Sequence, residues 1–147
     1  MILADEQATR DLGLRLAATV RQGDAILLSG GVGAGKTTFA RGLLEGLGLV
    51  EEAPSPSFPI LLDYHPPVVR LPVSHVDLYR IGPADDLLEL GLDDARAEGL
   101  LLVEWPERGA GERVLSDALH LRLDIMKGGR RLTASVPPAW EKRWLQR

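Results

Sequence analysis

The chain contains no cysteine among its 147 residues. Disulfide frameworks, cysteine-ligated zinc sites and thiol nucleophiles are therefore excluded, and the composition suits the reducing cytoplasm, where we expect the protein to be. Long apolar runs are also missing, and the N-terminus becomes charged at Asp5 and Glu6 without a basic segment ahead of an apolar stretch. We therefore expect neither export nor insertion into a membrane.

The sequence has no excess of basic residues, because 17 lysines and arginines stand against 21 acidic residues and the formal net charge is -4. A broad basic surface that binds nucleic acid unaided is thereby disfavoured, and any contact with RNA would need a local patch or a partner. A length of 147 residues suffices for one domain with its own core and leaves little room for a second. We expect a single domain over residues 1–147.

The most informative segment is GGVGAGKTT at residues 30–38, which has the spacing of a phosphate-binding loop: glycine, four residues, then Gly-Lys-Thr. A strand-like apolar run, Ala25–Ser29, precedes it, and a stretch with Phe39, Leu43 and Leu47 at helical spacing follows. The alternative is a glycine-rich turn before an ordinary capped helix. The strand–loop–helix context favours a site for a nucleoside triphosphate.

The residue types in this loop match the chemistry of a nucleotide. Glycines allow successive backbone N–H groups to converge on phosphate oxygens, and the helix that begins at Thr37 and Thr38 presents unpaired N–H groups at its positive end. Lys36 adds a positive charge suited to the outer phosphates, and the Thr37 hydroxyl is suited to Mg²⁺. Since the chain has no asparagine, it cannot contain the Asn-Lys-x-Asp element by which many GTPases recognise guanine. We therefore predict ATP and Mg²⁺ as ligands.

Two carboxylates at the predicted ends of apolar strands are candidates to complete this site. Asp77 follows the run at residues 73–76, and Glu104 ends the run Leu100–Glu104, whose continuous apolar character is typical of a strand covered on both faces. A nucleotide hydrolase needs an acidic group in such a place to hold Mg²⁺ or its waters. One carboxylate would order the metal and the other would orient or deprotonate the attacking water, and the sequence leaves the assignment open.

Other residues near these runs have structural alternatives. His75 could assist a proton transfer, although a lone histidine at a strand end is more often structural. Ser55 and Ser57 could respond to the γ-phosphate as a switch loop does, with a plain surface turn as an equal alternative. Trp105 is an aromatic residue available to the nucleotide, although core packing is the more common role of a tryptophan.

Hydrophobic periodicity places the remaining elements. The tail with Trp140 and Trp144 is expected to pack as a terminal helix, with contact to RNA as the alternative. The other predicted elements are a helix over residues 5–20 with Asp5 as its N-cap, strands over residues 60–64 and 68–76 that pair as a hairpin, a helix over residues 83–96, and a hairpin over residues 119–125 and 132–136 with one solvent-facing side.

Five segments together resemble the TsaE (YjeE) family. They are DEQAT at residues 5–9, GAGKTTF at 33–39, SPSF at 55–58, HVDLYR at 75–80 and VEWP at 103–106, and they extend over nearly the whole chain. The phosphate loop is generic, whereas the HVDLYR and EWP elements in this order are specific. Members of this family are small bacterial ATPases needed to make threonylcarbamoyladenosine next to the anticodon of tRNA, working with the proteins TsaB and TsaD.

The resemblance implies an α/β protein with a three-layer, P-loop NTPase-like fold, a mostly parallel central sheet and antiparallel additions. It implies a Mg²⁺-dependent ATP hydrolase that acts with TsaB and TsaD, and with tRNA through the complex, without performing the carbamoyl transfer itself. It also implies an adenine pocket near the Thr9 region and the turn at Gly129 and Arg130. The predicted catalytic residues are Lys36, Asp77 and Glu104; the predicted nucleotide contacts are Thr9, Gly33, Ala34, Gly35, Lys36, Thr37, Thr38, Trp105, Gly129 and Arg130; the predicted metal ligands are Thr37 and Glu104.

Two positions depart from the pattern of that family. Gly31 stands where an acidic residue is common, and Ser57 stands where threonine is usual. Since Ser57 keeps the hydroxyl, we expect the chemistry of its loop to be retained. Two other functions are compatible with the same loop: a small-molecule kinase, which would normally have an arginine-rich lid that this sequence does not show, and a non-hydrolysing switch whose partner affinity depends on bound ATP.

Overall fold

One mixed sheet of seven strands organises the part of the chain that the structure describes. The computed structural model describes residues 1–56, 61–79, 91–108 and 117–144. Among these residues, no helix is long and apolar enough to cross a membrane. In chain order the elements are β1 (Ile2–Leu3), α1 (Glu6–Ala17), β2 (Ala25–Ser29), α2 (Lys36–Gly46), β3 (Leu61–Tyr64), β4 (Val73–Asp77), α3 (Leu92–Glu98), β5 (Leu100–Glu104), β6 (Leu119–Met126), β7 (Gly129–Ser135) and a 3-10 turn (Pro138–Trp140).

The strands follow the order β1-β7-β6-β2-β5-β4-β3, with β2 in the middle. The central strands β6, β2, β5 and β4 are parallel, and the outer pairings β1–β7, β7–β6 and β4–β3 are antiparallel. The predicted mixed α/β fold is confirmed, although three of the six pairings are antiparallel, more than the expected additions to a mostly parallel sheet. Both predicted hairpins are present as β3–β4 and β6–β7.

Helices cover both faces of this sheet, so the described residues form three layers. Helices α1 and α2 pack together on one face, where Leu16 and Phe39 belong to the same buried apolar cluster as Leu28 of β2. On the other face, Leu92 of α3 joins a smaller apolar cluster with Leu101 of β5. Burial of apolar side chains on both faces explains why the central strands are almost entirely apolar.

Three element ends differ from the predictions. Helix α1 starts as expected, since the Asp5 side chain accepts a hydrogen bond from the Ala8 N–H (2.8 Å), but it ends at Ala17 and leaves Val20 beyond the helix. Strand β4 starts at Val73 instead of residue 68, because residues 66–71 form turns and bends. Residue 60 of the predicted strand and residues 83–90 of the predicted helix lie outside the described residues. The described helix α3 ends at Glu98.

The C-terminal segment packs onto the core through a buried ion pair. Arg143 donates hydrogen bonds to both oxygens of Asp24 (2.7 and 2.9 Å), and its guanidinium carbon lies 4.1 Å from the centre of the Trp140 ring. The predicted packing of this segment is confirmed for Trp140, which is 1% exposed. The predicted terminal helix is wrong for the described part of the segment, where a 3-10 turn is followed by further turns.

Candidate functional site

The loop between β2 and α2 leaves the sheet at its centre. Residues 30–35 connect Ser29, the last residue of β2, with Lys36, the first residue of α2. Gly30, Gly33 and Gly35 have φ angles of 138°, 79° and 110°, which residues with a side chain rarely adopt. The path of the loop therefore depends on these glycines, and it ends at the N-terminus of a helix, where backbone N–H groups have no partner within the helix.

Lys36 is held across this loop. Its Nζ donates hydrogen bonds to the carbonyl oxygens of Gly30 (2.6 Å) and Gly31 (2.9 Å). The same nitrogen lies 4.4 Å from the centre of the Trp105 ring, within the range of a cation–π contact. Lys36 is only 6% exposed, so its position is set by the protein and not by solvent.

The charge on Lys36 is shaped by burial and by nearby carboxylates. Burial lowers the pKa of the ammonium below its ordinary value, because the charged form loses hydration. The negative charges of Glu104, Asp77 and Glu107 act in the opposite direction. These carboxylates therefore compensate a buried cation that would otherwise be unfavourable.

Strands β4 and β5 bring the two candidate carboxylates side by side. Asp77 and Glu104 are paired in the register of these parallel strands, and they are 6% and 2% exposed. Thr37 Oγ1 lies 3.2 Å from Glu104 Oε1, and His75 Nε2 lies 2.7 Å from Glu104 Oε2. Asp77 accepts a hydrogen bond from the backbone N–H of Tyr79 (2.8 Å). The predicted acidic pair and the Thr37 hydroxyl are thus brought together.

A cleft of about 360 Å³ opens over these groups. Reasoning from the sequence missed two residues that line this cleft, Val32 and Tyr79. Tyr79 could have been predicted as a site residue, because it follows Asp77 by two positions at the same strand end. The predicted site residues that line this cleft are Gly33, Gly35, Lys36, Thr37, Thr38, Asp77, Glu104 and Trp105.

A second cleft, of about 350 Å³, adjoins the first and shares Gly33, Gly35 and Thr38 with it. The remaining predicted nucleotide contacts, Thr9, Ala34, Gly129 and Arg130, line this second cleft. Arg130 links β7 to the loop, because its Nη2 donates a hydrogen bond to the Gly33 carbonyl oxygen (3.2 Å). Reasoning from the sequence missed Ala4, Asp5 and Glu6, which also line the second cleft.

Trp105 has an unusual backbone conformation directly after β5. Its φ is 59°, and it is the one non-glycine residue with a positive φ in the described part of the chain. Such a conformation typically costs on the order of 1–3 kcal/mol and persists where surrounding contacts impose it. Here the Trp105 N–H donates to the Leu28 carbonyl oxygen (3.1 Å), and the ring packs 4.7 Å from that of Tyr79. Trp105 therefore packs against the smaller apolar cluster and also lines the first cleft.

The two departures from the family pattern have different outcomes. Gly31 is exposed, and no atom lies within 4 Å of the position that a Cβ would occupy. A side chain at this position would therefore meet open space. Ser57 lies outside the described residues, and Ser55, the other candidate of that loop, is half-buried.

Comparison with known proteins supplies the family. The family model of threonylcarbamoyl adenosine biosynthesis protein TsaE matches residues 3–132, a span that contains every predicted site residue. The chain belongs to the TsaE family. The tRNA threonylcarbamoyladenosine biosynthesis protein TsaE of Streptomyces coelicolor is 44% identical over 121 residues, which are 81% of this chain and 80% of that protein. The protein of the same name from Bacillus subtilis is 41% identical over 100 residues, 67% of this chain and 61% of that protein.

A solved structure supports the same assignment. The crystal structure of Bacillus subtilis YdiB superposes on this TsaE-family chain with a TM-score of 0.79 at 28% sequence identity. The superposition covers 97% of this chain and 88% of the other. The family model and the two relatives confirm, at the level of family, the resemblance drawn from the five sequence segments.

Proposed function

We propose that this TsaE-family chain is a Mg²⁺-dependent ATP hydrolase that supports threonylcarbamoyladenosine modification of tRNA with TsaB and TsaD. The carbamoyl transfer itself takes place on a partner. The observation that carries the proposal is the contact between Thr37 and Glu104 beside the buried Lys36, which places a hydroxyl, a carboxylate and a cation around one loop. The names of the relatives, which refer to tRNA threonylcarbamoyladenosine biosynthesis, support the context.

In this proposal, residues 30–38 are the phosphate-binding loop of a P-loop NTPase. The Lys36 ammonium has three N–H donors. Two of them bond to the Gly30 and Gly31 carbonyl oxygens, which leaves a third for a phosphate oxygen. The N-terminus of α2 adds the positive end of a helix dipole and unpaired backbone N–H groups. Together they stabilise the negative charge that develops on the phosphates during hydrolysis.

Side-chain oxygen atoms lie at the last residues of β4 and β5 and at the start of α2. They fit a magnesium ion, which prefers oxygen ligands and commonly binds the phosphates of the nucleotide as well. Thr37 and Glu104 would hold it, and when bound it would neutralise charge on the phosphates. Asp77, adjacent to Glu104 in the sheet register, is then left to orient the attacking water or to accept its proton. Burial of both carboxylates limits their freedom to reorient.

The second cleft is assigned to the adenine base. It places Thr9, Gly129 and Arg130 next to the loop, and it shares three residues with the first cleft. A nucleotide whose phosphates occupy the loop would therefore reach this cleft without leaving the protein surface. Contacts from three separate elements, α1, the loop and β7, are typical of a ligand site.

The test is ATP hydrolysis measured on the chain alone, with TsaB and TsaD, and with tRNA added. Phosphate release without an acceptor supports the hydrolase, whereas strict dependence on an acceptor would indicate a small-molecule kinase. If a non-hydrolysable ATP analogue stimulated the partners as well as ATP over many turnovers, the chain would be a binding switch.

A further inference from the structure

His75 is a buried polar residue that the proposed function leaves without a role. Its side chain is 0% exposed, and its Nε2 lies 2.7 Å from Glu104 Oε2. Its Nδ1 is buried and has no hydrogen-bond partner among the described residues. From this arrangement we propose that His75 is a positioning residue, which holds the Glu104 carboxylate in the orientation that Thr37 and Mg²⁺ require. The inference rests on the proposed function of Glu104.

The two contacts of Glu104 define how its carboxylate is held. Oε2 is bonded to His75 at 2.7 Å, and Thr37 Oγ1 lies closer to Oε1 (3.2 Å) than to Oε2 (3.4 Å). The terminal torsion of a glutamate side chain is broad and roughly two-fold, so a single long hydrogen bond would fix the rotation of the buried carboxylate only weakly. The short bond to His75 on the other oxygen fixes it more firmly.

The bonding pattern of the imidazole also points to this role. An ionised carboxylate only accepts hydrogen bonds, so the contact requires a proton on Nε2. In the neutral imidazole this leaves only a lone pair on Nδ1 without a partner. Buried polar groups are otherwise paired almost throughout proteins, and packing alone would be served equally well by an apolar residue at this position. In the described part of the chain, the single polar contact of the His75 side chain is with Glu104.

The loss of metal affinity expected without His75 can be given a magnitude. Groups that hydrogen-bond to a metal-binding side chain fix its orientation, and removing them typically lowers metal affinity by about 10- to 100-fold. His75 lies on β4 two positions before Asp77, so the same strand would supply one carboxylate and hold the other. A change at His75 should therefore act on metal binding and leave nucleotide binding without metal unchanged.

Three variants separate positioning from packing. His75→Leu removes the N–H and replaces the imidazole with an apolar side chain of moderate size, whereas His75→Gln keeps an N–H donor. Val73→Ala is the matched control, because Val73 is a buried residue of the same strand that is paired with Leu100, at the opposite end of β5 from Glu104. Mn²⁺ affinity is measured by electron paramagnetic resonance in the presence of a non-hydrolysable ATP analogue, and analogue affinity is measured separately without metal.

We expect His75→Leu to weaken Mn²⁺ binding by about 10- to 100-fold, and His75→Gln to recover most of the loss. Val73→Ala should be less stable than the wild type and bind Mn²⁺ normally. A folded His75→Leu protein with wild-type Mn²⁺ affinity would overturn the inference, as would an equal loss in Val73→Ala. Failure of the wild type to bind Mn²⁺ with the analogue would overturn the proposed function itself.

A measurement on the wild-type chain covers the case in which His75→Leu does not fold. Nitrogen NMR of the imidazole reports which ring nitrogen carries the proton. We expect the proton on Nε2, with a coupling across the hydrogen bond to the Glu104 carboxylate. A proton found on Nδ1 instead would overturn the inference without any reference to activity.

Discussion

Thr37 and Glu104 are 67 positions apart in the chain, yet Thr37 Oγ1 lies 3.2 Å from Glu104 Oε1. The contact forms because β2 and β5 are neighbouring parallel strands, in which Leu28 is paired with Glu104. The loop after β2 therefore carries the start of α2 over the end of β5. Parallel strands end at one edge of a sheet, which is where open α/β folds place their ligands.

Replacing Lys36 by alanine is expected to lower ATP turnover in the presence of TsaB and TsaD by about 100-fold or more, because a placed donor for developing phosphate charge contributes on this order. Phosphate release from the variant and the wild type measures the effect. Lys142→Ala is the control, since Lys142 is exposed and lines neither cleft of the site. Normal hydrolysis by Lys36→Ala would show that the site is wrongly assigned.

The isosteric changes Glu104→Gln and Asp77→Asn should separate the two carboxylates. Glu104→Gln removes the charge next to Thr37, so we expect about 10-fold or more Mg²⁺ to be needed for half-maximal turnover. Asp77→Asn should lower the maximal rate by about 100-fold, as for loss of a general base, and leave the Mg²⁺ requirement unchanged. The measurement is a Mg²⁺ titration of the turnover rate. The opposite pattern would exchange the two roles.

The affinity for nucleotide should depend on pH through Lys36. Burial lowers the pKa of its ammonium below the ordinary value of 10.5, and the protonated form binds phosphate. The logarithm of the association constant should therefore be level at neutral pH and bend downward at a pH below 10.5, with no such bend in Lys36→Ala. Titration of an ATP analogue at increasing pH provides the measurement. A wild-type bend at or above that value would contradict the prediction.

The lowered pKa of Lys36 also predicts how the stability of the fold changes with pH. Because the pKa of Lys36 is lower in the folded than in the unfolded chain, the unfolded chain binds more protons between the two values. The contribution of Lys36 to the free energy of unfolding therefore rises with pH across that alkaline window. Urea unfolding of the wild type and Lys36→Ala as a function of pH isolates this contribution.

Arg143→Ala should destabilise the fold by about 3–5 kcal/mol, because it leaves a buried carboxylate without its cation. Arg143 and its partner Asp24 are both 8% exposed. Lys142→Ala, one position earlier and exposed, should change the free energy of unfolding by no more than about 0.5 kcal/mol. Urea unfolding of the two variants provides the comparison. Equal small effects would mean that the ion pair does not anchor the C-terminal segment.

Gly42→Ala tests the contact between α1 and α2. A Cβ at Gly42 would overlap the carbonyl oxygen of Arg10, so the two helices would have to separate. Although alanine is intrinsically the better helix former, we expect a net loss of stability of about 1–3 kcal/mol, as for an overpacked core. Gly31→Ala is the matched control, since a Cβ there meets open space. Thermal unfolding that affects both variants equally would contradict the prediction.

Local patterns were sufficient where an element is defined by its own residues. The loop glycines, the apolar strand before them and the Asp5 cap act over a few positions, so their structures followed from spacing alone. Element ends that depend on distant contacts were not predictable. Helix α1 ends near carbonyl oxygens of Ala17 and Val20 that accept hydrogen bonds from Arg70, which lies about 50 positions away in sequence.

The sequence by itself determined which chemical groups the protein can use: a glycine-rich loop, one lysine within it, a threonine after it, and carboxylates that follow apolar runs. Only the tertiary structure decided which of them meet. Strand order and register bring His75 and Asp77 next to Glu104, and place Thr37 over it. The physical reason is that the distance between two strand ends depends on how all seven strands pack, a property that no single segment of the chain contains.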